Sequence, residues 1–199
     1  MQEALTINNA VKALSKLPGI GQKTAHRLVF YLLAQHRELG LEIAEALEAA
    51  CKEIKLCELC CNFTESSPCS LCEDPKRDRS TICIVESASD VLAIEKTNEY
   101  HGLYHVLHGS ISPLHNISAD DIHLKELFNR LLQQTEVEEI ILANNTTMEG
   151  EATALYIARL LQPSGIKISQ MAHGIPVGSS LEYADEITLA QAISNRQSI

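Results

Sequence analysis

Hydrophobic residues recur every three or four positions along the first fifty residues, which is the spacing of amphipathic helices. Leu5, Val11 and Leu14 mark one helix, and a second helical pattern follows it. The segment Leu-Pro-Gly-Ile-Gly at 17–21 interrupts the pattern, because proline and glycine end helices. The sequence therefore predicts a helical region over 1–53 that folds around a glycine-rich turn.

Strand-like and helical patterns alternate after residue 79. A β-branched run at 81–85 precedes Ser87, which can cap a helix that reaches Lys96. Further strands are expected at 103–107, 139–143, 166–168 and 187–189, with helices at 124–132 and 151–161. Such alternation is typical of a parallel sheet with helices on both faces. The predicted fold class is α/β: a small helical, cysteine-rich N-terminal part, a parallel-sheet domain over 80–175, and a strand and helix tail over 176–199.

The composition is that of a globular protein, since 45% of the 199 residues are hydrophobic and 21% are charged. This excludes a chain that is disordered throughout. The apolar runs stay below the roughly 18–20 residues that a membrane span requires, and the first residues lack the basic and apolar regions of a secretory signal. We therefore expect a soluble, cytoplasmic protein that does not enter a membrane.

The net charge of −10 is distributed unevenly along the chain. Residues 1–40 carry five lysines and arginines against two acidic residues, a balance of +3. Residues 41–79 carry five against nine, and residues 80–199 carry six against fifteen. Contact with a nucleic-acid backbone needs positive charge and is expected in the N-terminal fifth. Aromatic residues make up only 4%, without tryptophan, so a broad base-stacking platform is not expected.

Five of the seven cysteines lie within sixteen residues. They include two Cys-x-x-Cys pairs, Cys57 with Cys60 and Cys69 with Cys72, which are separated by eight residues. Each pair can place two sulfurs about 2.3 Å from one ion, and four thiolates complete a tetrahedral zinc site. No coordination position is left for a substrate, so the zinc ion is structural. The spacing predicts a four-cysteine zinc finger over 57–72.

Three alternatives to this zinc site are a redox-active pair, unpaired buried thiols, and a ligand set that includes Cys61. A thioredoxin-like redox site would use one Cys-x-x-Cys next to a βαβ pattern, whereas two pairs occur here in a polar loop. Cys61 falls outside the paired spacing and is interpreted as a bystander. Cys51 and Cys83 lie in apolar patterns and are predicted to be small core residues.

The segment GIGQKT at 19–24 lacks the pattern of a phosphate-binding loop, which requires G-x-x-x-x-G-K-[ST] after a strand. A helix–hairpin–helix fits better, with Gly19 and Gly21 shaping a tight turn. Lys23 and Arg27 then share one face of the second helix, beside the amide groups of the hairpin. Such a site contacts DNA phosphates without reading bases, while the alternative is an ordinary packing corner between two helices.

Acidic residues are expected to meet at the carboxyl edge of the sheet. Glu86 follows the first strand, whereas Glu149 and Glu151 follow the strand at 139–143 and open a helix. Ligands of α/β proteins bind at this edge, and carboxylate oxygens suit Mg²⁺. Glu149 and Glu151 would equally be favoured by the helix dipole without any metal. Spacing alone leaves both interpretations open.

Six segments, in the same order along the chain, resemble the RecR family of bacterial recombination mediators. They are LPGIGQKTAHRL, the four-cysteine motif, ICIVES, HGSISPL, NNTTMEGEATALYIA, and HGIPVG with LEYADE. The resemblance spans nearly the whole chain and implies that the α/β unit is a Toprim domain, which topoisomerases and primases share. Catalytic Toprim domains follow the pattern Asp-x-Asp-x-Glu-Gly-Glu. The two aspartate positions look like Asn145 and Thr147 here, so two expected Mg²⁺ carboxylates are replaced.

The resemblance implies a non-enzymatic mediator of recombinational DNA repair. Members of the family act with RecO, and in some settings RecF, to promote loading of the RecA recombinase at gapped or single-stranded DNA. They form homo-oligomers, either ring-like tetramers or dimers. The expected DNA-binding residues are Gly19, Gly21, Lys23 and Arg27, and the expected zinc ligands are Cys57, Cys60, Cys69 and Cys72. A Toprim surface of Glu86, Asn145, Glu149 and Glu151 is expected to bind a partner protein or Mg²⁺, with the partner preferred.

Two other functions stay open at this point. A Mg²⁺-dependent nuclease or strand-passing enzyme would use Glu86, Glu149 and Glu151, but the neutral Asn145 and Thr147 argue against it. An adaptor that binds only protein would fit the acidic total, but the basic hairpin argues against it.

Overall fold

The computed structural model describes residues 4–172, 174–175 and 177–196. The chain divides after Ile54 into two compact units. The first unit is helical, and the second contains the paired cysteines and the sheet. No helix in the described ranges is long and apolar enough to cross a membrane.

The N-terminal unit contains the helices α1 (Leu5–Leu14), α2 (Gln22–Gln35) and α3 (Arg37–Glu53). Val11 of α1 and Ala25 and Val29 of α2 form a small buried core. Ile20, in the turn between these helices, packs against the same core. The predicted arrangement of helix, glycine-rich turn and helix is therefore confirmed.

Helix α3 leaves its apolar residues exposed. Leu41, Ile43 and Leu47 are 72%, 44% and 60% exposed, and no residue of the helix is buried. Cys51 on this helix is exposed as well, so the prediction that it is a core residue is wrong. Its helical spacing with other apolar residues marks an amphipathic face, but that face is not covered in the described chain.

The second unit begins with a short antiparallel hairpin, β1 (Lys55–Leu56) and β2 (Phe63–Thr64), and the single-turn helix α4 (Ser70–Glu73). The strands β3 (Asp78–Val85), β4 (Gly102–Val106), β5 (Glu139–Ala143) and β6 (Lys167–Gln170) form the sheet of this unit. They alternate with the helices α5 (Ala88–Glu95), α6 (Leu124–Gln133) and α7 (Met148–Leu161), and α8 (Glu186–Ser194) follows.

The sheet is parallel, with the strand order β4–β3–β5–β6. The chain moves from β3 outward to β4 and then returns to the other side of β3, so its direction across the sheet reverses between β3 and β5. Val85 pairs with both Val106 and Ala143, which aligns the carboxyl ends of the three strands. Open α/β sheets bind ligands at the carboxyl edge where this reversal occurs.

Successive residues of β3 face two separate cores, as the alternation of side chains along a strand requires. Ile82 and Ile84 lie in a cluster with residues of α6 and α7 such as Leu127. Cys83 and Val85 lie in a second cluster, which includes residues of α5 and β4. The predicted parallel sheet with helices on both faces is confirmed, and so is the prediction that Cys83 is a core residue.

The tail at 187–189 is helical, so the strand predicted there is wrong. Asp185 caps helix α8: its Oδ1 accepts a hydrogen bond from the backbone N–H of Thr188 at 2.9 Å, and its Oδ2 accepts one from the Thr188 hydroxyl at 2.7 Å. This cap stabilises a helix start and outweighs the strand preference of β-branched residues. Helix α7 similarly begins at Met148 rather than at residue 151, because the Thr147 hydroxyl accepts a hydrogen bond from the N–H of Gly150.

Candidate nucleic-acid interface and metal centre

The glycine-rich turn at 17–21 reverses the direction of the chain immediately before helix α2 begins. Gly19 has a φ of +79°, a left-handed conformation that glycine adopts without steric cost. Gly21 is extended and serves as the N-cap, so no side chain caps the first N–H groups of α2. Uncapped N–H groups carry the positive end of the helix dipole and attract anions. The hairpin therefore has the backbone chemistry of a phosphate contact.

The two cations predicted to bind DNA lie on this first part of α2. Lys23 and Arg27 are exposed and line a hollow of about 400 Å³ together with Thr24 and His26. Helix α2 contains no acidic residue. The structure thus places Lys23 and Arg27 together at one surface beside the hairpin.

The four paired cysteines converge on one point in the second unit. All four are buried, and their sulfur atoms lie within 4.8 Å of one another. The Sγ atoms of Cys60 and Cys69 are 3.5 Å apart, and those of Cys57 and Cys72 are 4.0 Å apart. A tetrahedron with zinc–sulfur bonds of about 2.3 Å has sulfurs about 3.8 Å apart, so the observed spacing fits one zinc ion.

Loss of protons from these thiols is linked to metal binding, because zinc binds the thiolate form. Hydrogen bonding to Cys69 and burial raise the pKa of the Cys60 thiol far above its usual value, whereas the hydrogen bond from Cys60 lowers the pKa of Cys69. Four thiolates at this distance repel one another strongly unless a metal ion neutralises them. Because zinc binds thiolates, protons compete with zinc, and we expect zinc affinity to fall as the pH falls.

The zinc segment covers the edge strand of the sheet. The backbone N–H of Val106 in β4 donates a hydrogen bond to the carbonyl oxygen of Cys60 at 2.8 Å. His108 donates from Nε2 to the carbonyl oxygen of Cys61 at 2.6 Å, and its ring lies 5.0 Å from that of Phe63. Cys61 is buried but belongs to no metal-ligating group in the described chain. The zinc site therefore satisfies backbone groups that an open edge would leave unpaired.

Glu86 lies at the carboxyl edge of the sheet, between β3 and β5, and its carboxylate is hydrogen-bonded within the protein. It is 8% exposed and follows β3 directly. Its Oε1 accepts a hydrogen bond from the backbone N–H of Asn145 at 3.1 Å, and its Oε2 accepts one from Asn145 Nδ2 at 2.6 Å. Asn145 comes shortly after β5, so this pair joins the ends of the two central strands.

Gly150 allows this pair to form. A Cβ atom at this position would lie 2.1 Å from the carbonyl oxygen of Asn145 and 2.6 Å from Glu86 Oε1. Thr147, the second position that an aspartate occupies in catalytic Toprim domains, caps α7 through its hydroxyl. The two neutral residues Asn145 and Thr147 thus both have structural contacts. Sequence reasoning missed the role of Gly150, although a glycine in the first turn of a helix signals a close approach.

Glu149 and Glu151 lie in the first turn of α7, at the same edge of the sheet. Both are half-buried, and Glu151 Oε2 accepts a hydrogen bond from Gln170 Nε2 at 3.2 Å. In the described ranges, the four cysteines are the only group of three or more cysteine, histidine or acidic side chains placed to hold a metal. Glu86, Glu149 and Glu151 do not form such a group in the described chain, and Glu86 accepts hydrogen bonds from Asn145 instead. Their expected role in binding a partner protein or Mg²⁺ stays a prediction.

Comparison with known proteins matches four successive parts of the chain to family models. These are the RecR helix-hairpin-helix over residues 7–51, the RecR four-cysteine zinc finger domain over 54–74, the Toprim domain over 80–172, and the RecR C-terminal region over 174–197. Recombination protein RecR from Lactococcus lactis subsp. cremoris strain SK11 is 52% identical over 193 residues, covering 97% of both chains. The RecR proteins of strain MG1363 and of subsp. lactis strain IL1403 match to the same extent. The chain belongs to the RecR family.

Membership of the RecR family confirms the resemblance drawn from the six sequence segments. The RecR zinc finger model covers all four cysteines, and together with their geometry it establishes one structural zinc site. The RecR helix-hairpin-helix model covers Gly19, Gly21, Lys23 and Arg27. The Toprim model covers the Glu86–Asn145 pair.

Proposed function

We propose that this protein is a non-enzymatic mediator of recombinational DNA repair that binds DNA through its N-terminal hairpin. Its relatives are recombination proteins, which supports a role in recombination and repair. The observation that carries the proposal is the exposed pair Lys23 and Arg27 beside an uncapped helix start, within the one basic segment of an acidic chain. Such a surface binds phosphates irrespective of sequence.

The test is a titration of labelled gapped duplex with the full-length protein in Mg²⁺, which follows binding and strand integrity together. We expect the DNA to stay intact, and binding to weaken steeply with salt because phosphate contacts release counterions. Lys23→Ala combined with Arg27→Ala should reduce the salt slope by about two and weaken binding to all sequences alike.

The matched control removes two cations from helix α3 of the same unit, with Arg37→Ala and Lys52→Ala. This variant has the same net charge as the hairpin variant and should bind like the wild type. Equal loss of DNA binding in both variants would show that binding depends only on net charge. It would contradict the assignment of DNA binding to the hairpin. Cleavage of the DNA, lost in Glu149→Gln, would instead favour a Toprim nuclease.

We also propose that RecO, and in some settings RecF, binds the acidic edge of the Toprim domain, and that the assembly promotes loading of RecA at gapped or single-stranded DNA. Glu149 and Glu151 are half-buried carboxylates at this edge, and residues 80–199 have an excess of nine acidic charges. A basic partner surface would complement them.

Neutralising these two carboxylates tests the partner site. Glu149→Gln with Glu151→Gln should weaken RecO binding by about a hundredfold, since each lost close charge pair accounts for about tenfold or more. Binding of DNA by the variant alone should not change, because Lys23 and Arg27 are intact. The control is Glu136→Gln with Glu138→Gln, an equal change of charge elsewhere in the same domain. Calorimetry with purified RecO measures both variants, and an equal effect of the two would contradict a localised site.

We further propose that the protein works as a homo-oligomer, a tetramer ring or a dimer. The exposed apolar face of α3, with Leu39, Ile43 and Leu47 spaced four residues apart, supports self-association because soluble chains seldom expose such a face in the assembled state. A ring would let the basic hairpins line its hole while acidic surfaces face outward. Light scattering of the purified protein measures the mass, and a monomer at micromolar concentration would contradict this proposal.

The protein is proposed to act in the cytoplasm. Its seven cysteines form no disulfide bonds, which fits a reducing compartment.

A further inference from the structure

The outer face of α2 carries an aromatic ring in line with the two hairpin cations. Lys23, Arg27 and Phe30 are spaced four and three residues apart, so they lie on one face of the helix. All three are exposed, while Ala25 and Val29 on the opposite face are buried. The face therefore combines positive charge and an aromatic surface, two properties that a protein core does not require.

The ring of Phe30 is held in a defined orientation. Its centroid lies 4.4 Å from that of the His26 imidazole, with only 20° between the ring planes. The side chain is nevertheless 44% exposed. An exposed phenylalanine by itself needs no explanation. A ring that is stacked on one side, open to solvent and adjacent to two cations offers a flat apolar surface next to phosphate-binding groups.

We propose that Phe30, supported by His26, stacks on a nucleobase of single-stranded DNA whose phosphates contact Lys23 and Arg27. The inference rests on the proposed DNA-binding function and specifies which DNA this surface selects. Aromatic side chains stack on any base, because every base has a π-face. Within a duplex these faces are covered by the neighbouring base pairs, so a stacking residue distinguishes unpaired bases from paired ones.

The distances along the helix suit a short stretch of strand. Phe30 lies seven positions after Lys23, which corresponds to about 10 Å along an α-helix. Stacked nucleotides rise by about 3.4 Å each along one strand, so this face spans about three of them. Helix α2 has no acidic residue that would repel the phosphates. A single ring is not a broad stacking platform, which agrees with the low aromatic content of the chain.

The experiment compares the wild-type full-length protein with Phe30→Leu, which keeps an apolar side chain but removes the π-face. Two DNAs are used: a gapped duplex with 2-aminopurine in its single-stranded segment, and a blunt duplex of the same length. Phe30→Leu should weaken binding of the gapped DNA about fivefold or more, the range for loss of one base–aromatic stack. It should also abolish quenching of the 2-aminopurine fluorescence, while the salt slope and the affinity for blunt duplex stay unchanged.

Phe63→Leu is the matched control. Phe63 is 56% exposed and its ring also lies beside a histidine, but it belongs to the second unit. This variant should bind and quench like the wild type. Lys23→Ala, in contrast, should lower the salt slope on both DNAs by about one, which separates loss of charge from loss of stacking.

Each other outcome counts against the inference. If Phe30→Leu binds both DNAs like the wild type and still quenches the probe, Phe30 does not stack on bases, while the proposed function stands. A change in the mass of Phe30→Leu measured by light scattering would identify Phe30 as a contact between copies of the chain and overturn the inference. If the wild type binds neither DNA even at low salt, both the inference and the proposed function fail.

Discussion

Replacing Cys60 by serine is expected to remove zinc from the protein and to unfold the segment around the four cysteines. Serine is a poor zinc ligand, and three remaining thiolates do not close the tetrahedral site. Structural zinc contributes an apparent binding free energy of about 10 kcal/mol or more in zinc-finger peptides, so this change is large. Metal analysis of the purified variant measures the zinc content, and a thermal melt measures the stability.

Loss of zinc in Cys60→Ser should also destabilise the sheet. The carbonyl of Cys60 accepts the hydrogen bond from Val106 in the edge strand β4. An unfolded zinc segment would expose this edge, and exposed strand edges promote association between chains. We therefore expect Cys60→Ser to aggregate on heating at a lower temperature than the wild type.

The chain supplies two controls for this substitution. Cys51→Ser changes an exposed thiol on α3, and Cys61→Ser changes a buried thiol next to the site. Both variants should keep one zinc ion per chain. One zinc per chain in Cys60→Ser would contradict the four-cysteine site, and loss of zinc in Cys61→Ser would show that Cys61 is a ligand.

Gly150→Ala is expected to lower the free energy of unfolding by about 3 kcal/mol, the upper end of the usual cost of overpacking. The added methyl group would lie 2.1 Å from the backbone oxygen of Asn145. A backbone oxygen cannot rotate away as a flexible side chain can, so the turn between β5 and α7 must shift. That shift would also disturb the Glu86–Asn145 contact. Urea unfolding of the wild type and of Gly150→Ala measures the difference in the free energy of unfolding.

Gly40→Ala is the control for Gly150→Ala, because Gly40 also lies within a helix. A Cβ atom there would meet only side-chain atoms of Leu32, at 3.7 Å or more, which is ordinary contact. Since alanine is favoured over glycine inside helices, this variant should be as stable as the wild type or more stable by about 0.5–1 kcal/mol. Equal stability of the two variants would mean that the turn at Gly150 has room for a side chain.

The contacts of Glu86 show what an asparagine at position 145 does at the carboxyl edge of the sheet. An aspartate at position 145 would place a second carboxylate beside Glu86, and the repulsion between the two charges would favour a bound cation or a proton on one of them. Asparagine instead donates two hydrogen bonds to Glu86, one from its side chain and one from its backbone. These two hydrogen bonds join the ends of β3 and β5 at the carboxyl edge of the sheet.

Local chemistry made much of this molecule predictable from its sequence. The zinc ligands lie in pairs three residues apart, the hairpin needs two glycines within three positions, and the sheet strands are short apolar runs separated by helical patterns. Each of these signals acts between residues that are close along the chain. The errors arose where such signals competed, as at 187–189, where the cap provided by Asp185 outweighed β-branched residues.

Tertiary structure determined the contacts between distant parts of the chain. Glu86 and Asn145 are 59 positions apart, and they meet because β3 and β5 are neighbours in the sheet. Likewise, Cys60 meets Val106 because β4 is an edge strand, and Cys51 is exposed because α3 leaves its apolar face uncovered. Spacing in the sequence specifies which residues share a face of a helix or strand. Strand order and packing specify what that face contacts, because both depend on how the whole chain is buried.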